Sequence, residues 1–192
     1  MIYIGYMKLK IRRGNQNDLN KVYELHRKCF STTDCLYKTS IRPYLEKGII
    51  LELADTKEII GVLLQGYLTP CNKKMDIDEN ANSYGNYKED IFEPVNTNGR
   101  LFMEKNIQYK QIYGILMICV DSQYRGKGLG KKLIEKHFLD NPNKVVCLNT
   151  RRSNISAYKL YETMGYDHIA YIKNKYFLPS EDSIFMIKDL SN

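Results

Sequence analysis

A glycine-rich segment, QYRGKGLGKK over Gln123–Lys132, is the part of the sequence whose residue types and spacing best suit chemistry. Gly126, Gly128 and Gly130 carry no Cβ, so the backbone can turn sharply and bring its N–H groups close to an oxygen-rich anion. The helix expected after them adds unpaired N–H donors and the positive end of its dipole. A pyrophosphate site is therefore predicted, with added charge from Arg125, Lys127 and Lys131.

Two familiar phosphate-binding motifs do not fit this segment. A Walker loop needs a Lys-Ser or Lys-Thr pair, whereas Lys131 is followed by Lys132. A dinucleotide fingerprint needs G-x-G-x-x-G, whereas the spacing here is G-x-G-x-G. Nucleotide hydrolysis and NAD binding are therefore disfavoured, and a plain turn between a strand and a helix stays an alternative.

The elements around the segment indicate an α/β domain. The apolar run Tyr109–Val120 predicts a strand buried on both faces, and the amphipathic pattern from Leu129 to Phe138 predicts the following helix. Apolar periodicity predicts the remaining elements. They are strand Lys8–Arg12, helix Leu19–Cys29, a short helix over Tyr37–Lys47, strands Ile49–Ala54 and Glu58–Tyr67, strand Lys144–Thr150, helix Ser153–Met164, and strands Asp167–Lys173 and Glu181–Lys188.

The length of 192 residues predicts a single domain spanning residues 1–192, with one insertion. Residues 70–106 are polar, and we predict a flexible insertion between the third and fourth strands, as a disordered tract or a lid. The composition, 43% hydrophobic and 27% charged, is that of a folded globular protein. No apolar run is long enough to span a membrane, so no membrane partner is expected.

Charge and cysteine content bear on partners and compartment. The net charge of +7 favours an anionic partner, such as a nucleic acid, an acidic membrane surface or a phosphate-rich small molecule. Five cysteines form no C-x-x-C pair, and three histidines lack metal-ligand spacing, so neither a disulfide framework nor a metal site is predicted. A reducing, cytoplasmic location is the expectation.

Two motifs resemble those of the GCN5-related N-acetyltransferase (GNAT) superfamily. Its acetyl-CoA loop, Q/R-x-x-G-x-G/A, is matched by Arg125, Gly128 and Gly130. Its second motif, N-x-x-A-x-x-L-Y-x-x-x-G-[FY], is matched by Asn154, Ala157, Leu160, Tyr161, Gly165 and Tyr166. Both motifs stand in the superfamily's order and on the predicted secondary structure.

The resemblance implies a single GNAT-like α/β domain with a mixed, mostly antiparallel twisted sheet. It implies about six to seven strands, about four flanking helices, and splaying of the fourth and fifth strands around the cofactor. It also implies acetyl-CoA as co-substrate, no metal, and direct attack of an amine on the thioester. The residues implied to bind acetyl-CoA are Ile118, Val120, Arg125, Gly126, Lys127, Gly128, Leu129, Gly130, Lys131, Asn154 and Tyr161.

Two of these residues receive catalytic roles. Tyr161 matches the family tyrosine that protonates the leaving thiolate, with packing against the sheet as the alternative. A backbone N–H around Ile118 is predicted to stabilise the oxyanion, and the main chain of Ile118 and Val120 to pair with the pantetheine arm. Asn154 is either a helix N-cap or a cofactor contact. The general base is open, between a water chain and the candidates Tyr113, Asp121 and Glu52.

The sequence resembles in particular the catalytic subunits that acetylate the α-amino group of other proteins. Phe30, Tyr37 and Tyr176 match positions that hold the acceptor, a protein or peptide amino terminus, and an auxiliary subunit could join the enzyme. An α-amine, with a pKa of about 7.7–8.0, needs less help from a base than a lysine near 10.4. The alternatives are a small amine such as a polyamine or amino sugar, a lysine side chain, and, less favoured, a nucleic-acid-binding module.

Overall fold

Nine strands and four α-helices are present in the computed structural model, which describes residues 2–30, 36–68, 92–96, 112–177 and 179–191. The strands are β1 (Ile2–Ile4), β2 (Met7–Arg13), β3 (Ile49–Leu53), β4 (Ile59–Leu68), β5 (Phe92–Pro94), β6 (Ile112–Val120), β7 (Val145–Arg151), β8 (Asp167–Phe177) and β9 (Ser180–Asp189). The helices are α1 (Leu19–Cys29), α2 (Lys38–Ile41), α3 (Leu129–Leu139) and α4 (Ile155–Thr163).

The predicted count of six to seven strands was too low, because two three-residue strands were missed. β1 pairs antiparallel with β2, and β5 pairs antiparallel with β8. Three residues are too few to show an alternating pattern, so such strands depend on their neighbours. β5 lies within the predicted insertion 70–106, and residues 70–91 and 97–106 of that insertion lie outside the described residues.

The first of two compact units comprises Met1–Gly66, Gly114–Val146 and Asp189–Asn192. Its strands are ordered β1-β2-β3-β4-β6, with antiparallel pairing from β1 to β4. The apolar face of α1 was predicted from its spacing, since residues three and four apart share one side of a helix. It packs into a core cluster of Leu19, Val22, Leu25, Ile41, Leu45, Ile50, Ile59, Val62, Leu64, Met117 and Cys119.

The helix predicted over Tyr37–Lys47 is shorter and interrupted. α2 ends at Ile41, and a 3₁₀ turn follows over Arg42–Tyr44. Pro43 explains the change, because it has no N–H to donate to the preceding helical turn. Ile41 and Leu45 are nevertheless buried in the core, so the segment keeps its apolar contacts despite the break.

A buried polar network joins β4 to the end of α3 in this unit. The side-chain oxygen of Gln65, Oε1, accepts from His137 Nδ1 and from Asn141 Nδ2, the latter at 3.0 Å. Gln65 Nε2 in turn donates to the Lys47 carbonyl at 2.7 Å. Because burial disfavours the charged imidazolium, the pKa of His137 is lowered to about 4.

His137 is expected to make folding sensitive to mild acid. The unfolded chain binds the histidine proton near pH 6.5, whereas the folded chain does so only near pH 4, so stability is lost as the pH falls between these values. The free energy of unfolding should fall by up to about 3 kcal/mol from this group. Urea unfolding of wild type and His137→Gln across this range tests it, and a stability difference independent of pH would contradict it.

The second unit comprises Tyr67–Tyr113 and Cys147–Lys188. Its described strands are ordered β7-β9-β8-β5, and β8 and β9 form a long antiparallel hairpin. The hairpin extends beyond the predicted strand end at Lys173. A bulge interrupts the pairing between Ile172 and Tyr176, and the Asp182 carboxylate accepts from the Asn174 N–H there at 3.0 Å. Pairing with β9 resumes after this bulge. The core cluster is Cys147, Ile169, Ala170, Ile172 and Phe185.

Candidate functional site

The glycine-rich segment forms an exposed loop between β6 and α3 in the first unit. Its start is anchored by the buried Asp121, whose N–H donates to the Ile60 carbonyl of β4 at 2.9 Å. The Asp121 carboxylate accepts from the Gln123 N–H at 3.0 Å and caps a short 3₁₀ turn. The sheet therefore holds one end of the loop, while residues 125–128 are exposed.

Gly126 and Gly128 give the loop its shape. Their φ angles are 74° and 73°, a left-handed conformation that costs energy for residues with a Cβ. No other part of the described chain lies within 4 Å of the position that a Cβ would take at either glycine. Gly128 is also the N-cap of α3, and none of the described side chains caps that helix. Backbone N–H groups at the start of α3 can thus donate to an anion, which the helix dipole also favours.

Basic side chains surround this helix start. Arg125 Nε donates to the Val120 carbonyl at 2.9 Å, which fixes the guanidinium beside the end of β6. Lys127 and Lys131 are exposed, and Lys127 Nζ lies 5.5 Å from the centre of the Tyr124 ring. The Leu129 side chain is only 2% exposed, so Leu129 can offer an anion only its main chain. Gly130 is half-buried in the first turn of α3.

The two faces of β6 differ in burial, contrary to the prediction of a strand buried on both faces. Met117 and Cys119 are buried in the core cluster, whereas Ile118 and Val120 on the other face are half-buried. The Val120 carbonyl accepts from Arg125 Nε and lies 3.4 Å from Cys29 Sγ. The main-chain roles predicted for Ile118 and Val120 stay predictions.

The residues of the second motif lie on or beside α4 in the second unit. Asn154 is the N-cap of this helix, and its side-chain oxygen accepts from the Ala157 N–H at 3.2 Å. The Tyr161 side chain is 5% exposed, with its ring edge-on to Tyr166 at a centroid distance of 5.9 Å. Burial raises the pKa of Tyr161 above its usual range, so its phenol is protonated at neutral pH.

Tyr176, predicted to bind the acceptor, is held by side chains of β7. Its hydroxyl donates to Asn149 Oδ1 at 3.4 Å, and the Arg151 guanidinium lies 4.1 Å from the ring centre. Arg151 is oriented by an ion pair with Glu181 at 3.2 Å. Because both contacts come from β7, which lies next to β9 in the sheet, the tyrosine is fixed near the end of the β8–β9 hairpin.

Phe30 and Tyr37 flank residues 31–35, which lie outside the described residues. Phe30 follows α1, packs against the core cluster of the first unit, and its ring centre lies 4.6 Å from that of His26. His26 Nε2 accepts from the Leu36 N–H at 2.7 Å, which connects the two ends of the segment. Tyr37 is 66% exposed, whereas Phe30 is half-buried. Of these two aromatic residues, only Tyr37 has most of its side chain on the surface.

The carboxylates considered as bases are engaged by cations. Glu52 is 3% exposed and accepts from Arg12 Nε at 2.8 Å. Asp121, besides capping its turn, lies 3.8 Å from Lys28 Nζ. Each of the two carboxylates therefore already has a cationic partner. Tyr113 meets the Tyr67 ring edge-on at 5.1 Å, and nothing in this contact marks it as a base.

One feature of the first unit was missed from the sequence, the packing of Cys29 against the core cluster that contains Cys119. No sequence signal pairs them, because they are far apart in the chain and outside any cysteine motif. Among the described side chains, no group of three or more His, Cys, Asp or Glu could hold a metal ion. In the same part of the chain, no helix combines the length and apolar character that crossing a membrane requires.

Comparison with known proteins finds sequence similarity over part of the chain. Residues 93–168 match the sequence model described as "Acetyltransferase (GNAT) domain". N-acetylaspartate synthetase of Xenopus tropicalis is 41% identical over 61 residues, which are 30% of this chain and 22% of that protein. The [ribosomal protein bS18]-alanine N-acetyltransferase of Escherichia coli K12 is 35% identical over 80 residues, which are 38% of this chain and 53% of that protein. The chain thus spans at most about half the length of these curated relatives.

Solved structures share the fold over almost the whole chain. The crystal structure of the Escherichia coli ribosomal-protein-S18-alanine N-acetyltransferase matches with a TM-score of 0.67 and 16% identity, covering 96% of each chain. The NatC complex bound to Gag peptide and CoA matches with a TM-score of 0.64 and 20% identity, covering 96% of this chain and 100% of that one. The chain therefore has an α/β, GNAT-like fold, and the sequence match to the GNAT domain covers its residues 93–168.

Proposed function

We propose that this chain is an acetyl-CoA-dependent N-acetyltransferase whose acceptor is the α-amine of a protein or peptide. The observation that carries the proposal is the exposed loop at the start of α3, where Gly126 and Gly128 are left-handed and no described side chain caps the helix. The loop lies in the region that matches the GNAT family, and the NatC structure of the same fold is bound to CoA and a peptide.

The chain's own residues fit the charged end of acetyl-CoA. We assign its pyrophosphate to the backbone N–H groups from Gly126 to Gly130, with charge from the side chains of Arg125, Lys127 and Lys131. Pairing of the Ile118 and Val120 main chain with the pantetheine arm, and contacts from Asn154 and Tyr161, belong to the same proposal. When bound, acetyl-CoA supplies an acetyl group activated as a thioester.

The proposed chemistry needs a hydrogen-bond donor for developing negative charge and an acid for the leaving sulfur. The backbone N–H around Ile118 is the proposed donor, since the side chain is apolar and only the main chain can act. Tyr161 is the proposed acid, because it stands at the tyrosine of the second motif and its phenol is protonated at neutral pH. The amine needs little help from a base, since an α-amine is partly neutral near pH 7.7–8.0.

The preference for an α-amine rests on the acceptor residues and on the relatives. Phe30, Tyr37 and Tyr176 supply aromatic surfaces of the kind that can hold a peptide, and the names of both relatives denote acetylation of an amino acid or of a protein alanine. N-acetylaspartate synthetase favours a second candidate, the α-amine of a free amino acid. Because NatC is a complex, an auxiliary subunit is a proposed partner as well.

Acetyl transfer to three matched acceptors tests the acceptor class. One peptide has a free α-amine and no lysine, the second has a blocked amino terminus and one internal lysine, and the third acceptor is free aspartate. We expect mass spectrometry to find acetylation of the first peptide alone, because its amine is partly neutral at pH 8 whereas a lysine near pKa 10.4 is almost fully charged.

The other outcomes separate the alternatives. Modification of the lysine alone would contradict the α-amine proposal, and acetylation of aspartate alone would support the second candidate. Gly128→Asp is the matched negative control, because it should prevent transfer to every acceptor by removing co-substrate binding. No product with any acceptor, in a protein that still binds CoA, would exclude all three acceptor classes.

A further inference from the structure

Two thiols meet beside the glycine-rich loop, in the first unit. Cys29 is the last residue of α1 and is half-buried, and Cys119 on β6 is 6% exposed. Cys29 packs against the core cluster that contains Cys119, and its Sγ lies 3.4 Å from the carbonyl oxygen of Val120, the residue after Cys119. Both are free thiols, so the fold places two reduced cysteines close together.

The two thiols differ in how readily they ionise. Hydrogen bonding with the Cys119 thiol and with the Arg125 guanidinium, and the charge of Arg125, lower the pKa of Cys29 to about 7, although burial and the Asp121 carboxylate oppose this. Hydrogen bonding with Cys29 and burial raise the pKa of Cys119. The lowered pKa favours the thiolate of Cys29, which is the nucleophilic form, while the raised pKa favours the protonated form of Cys119.

Arg125 connects this pair to the loop. Its Nε donates to the Val120 carbonyl, and the Cys29 S–H donates to the same oxygen at 3.4 Å. The guanidinium is thus held at the end of β6 next to Cys29, where it stabilises the thiolate. A positive charge beside a partly exposed cysteine is the setting in which cysteines react with oxidants.

We propose that Cys29 and Cys119 are a peroxide-reactive dithiol that closes to an intramolecular disulfide. In the first step Cys29 Sγ attacks hydrogen peroxide; an S–O bond forms, the O–O bond breaks, and the departing hydroxide takes up a proton to become water. In the second step Cys119 Sγ attacks Cys29 Sγ; the S–S bond forms and the S–O bond breaks. The Cys119 proton leaves with the hydroxide as a second water, so two thiols are oxidised and one peroxide is reduced.

Cys147 provides an internal control. It is fully buried in the core cluster of the second unit, where burial raises the pKa of its thiol. A thiol that stays protonated reacts slowly with peroxide, so Cys29 should be oxidised at least about tenfold faster than Cys147. Cys35 and Cys71 lie outside the described residues, and the test removes both.

The test uses the full chain carrying Cys35→Ser and Cys71→Ser, reduced and then treated with hydrogen peroxide. Tryptic digestion without reduction should yield peptide Cys29–Lys38 linked to peptide Gln111–Arg125, two hydrogens lighter than the sum of both. Cys147 should remain a free thiol. In the same background, Cys119→Ser should trap Cys29 as a sulfenic acid that reacts with dimedone, and Cys29→Ser should leave Cys119 unoxidised.

Two results would overturn the proposal. One is a Cys29 sulfenic acid that accumulates while Cys119 remains a thiol, because Cys119 would then not resolve it. The other is oxidation of Cys147 as fast as Cys29, because the contact with Arg125 and Cys119 would then confer no reactivity. Both results are measured on the protein that retains Cys29 and Cys119, so the conclusion does not depend on how the variants that lack Cys29 or Cys119 fold.

Discussion

Replacing Gly128 with aspartate is expected to weaken CoA binding by about 100-fold or more, roughly 2.7 kcal/mol. Aspartate is one of the few residues that tolerate the left-handed backbone of this position, so the loop can keep its shape. Its carboxylate would instead occupy the backbone N–H groups that begin α3 and would repel a pyrophosphate. Isothermal titration calorimetry with CoA measures the loss.

Gly128→Asn is the matched control, because asparagine has nearly the same size and backbone tolerance without the charge. Its affinity for CoA should exceed that of Gly128→Asp by at least about tenfold, since one charge-assisted interaction is worth about 1.5 kcal/mol or more. Equal losses in both variants would assign the effect to side-chain bulk rather than to an anion site. Unchanged affinity in Gly128→Asp, with a normal thermal unfolding transition, would remove the pyrophosphate from this loop.

Tyr161→Phe is expected to lower kcat by about 10- to 100-fold while the Kd for CoA changes by less than about twofold. The substitution removes only the hydroxyl from a buried ring, so the edge-on contact with Tyr166 is preserved. It also removes a phenol that burial keeps protonated, and with it the proposed proton donor to the leaving sulfur. Steady-state kinetics with the α-amine peptide and a CoA titration separate the two effects.

Tyr166→Phe is the control for this prediction. Tyr166 is a buried tyrosine next to Tyr161, and burial raises the pKa of its phenol too, so the variant reproduces the loss of one buried hydroxyl. Its kcat should stay within about threefold of wild type, since no proton transfer is assigned to it. Full activity in Tyr161→Phe would remove the acid role, and equal losses in both variants would indicate a general effect on packing.

Regular elements with a strong apolar period were predictable, and short or irregular ones were not. The spacing of apolar residues in α1 and α3 placed both helices correctly, because one helix face must be buried whatever packs against it. β1 and β5 were missed, since three residues form a strand only when a partner strand is present. The break after Ile41 shows that Pro43 outweighs an otherwise helical pattern.

Some features of the candidate site could likewise be predicted from the sequence, and others could not. The glycine spacing, its place between a strand and a helix and the nearby basic residues together predict an anion loop, because close backbone approach requires residues without Cβ. The ion pair of Glu52 could not be predicted, since Glu52 is adjacent to no cation in the sequence yet accepts from Arg12 in the fold. Two roles were predicted for Asn154, helix N-cap or cofactor contact. Its side-chain oxygen accepts from the Ala157 N–H, which shows the N-cap role directly.

Properties that depend on neighbours along the chain could be inferred from the amino-acid order. They include the glycine-rich loop, the amphipathic helices and the two family motifs, because a few adjacent residues are enough to specify each. Properties that depend on burial and on contacts between distant segments could not. The lowered pKa of His137, the raised pKa of Tyr161 and the proximity of Cys29 and Cys119 arise only when folding excludes water and brings remote side chains together.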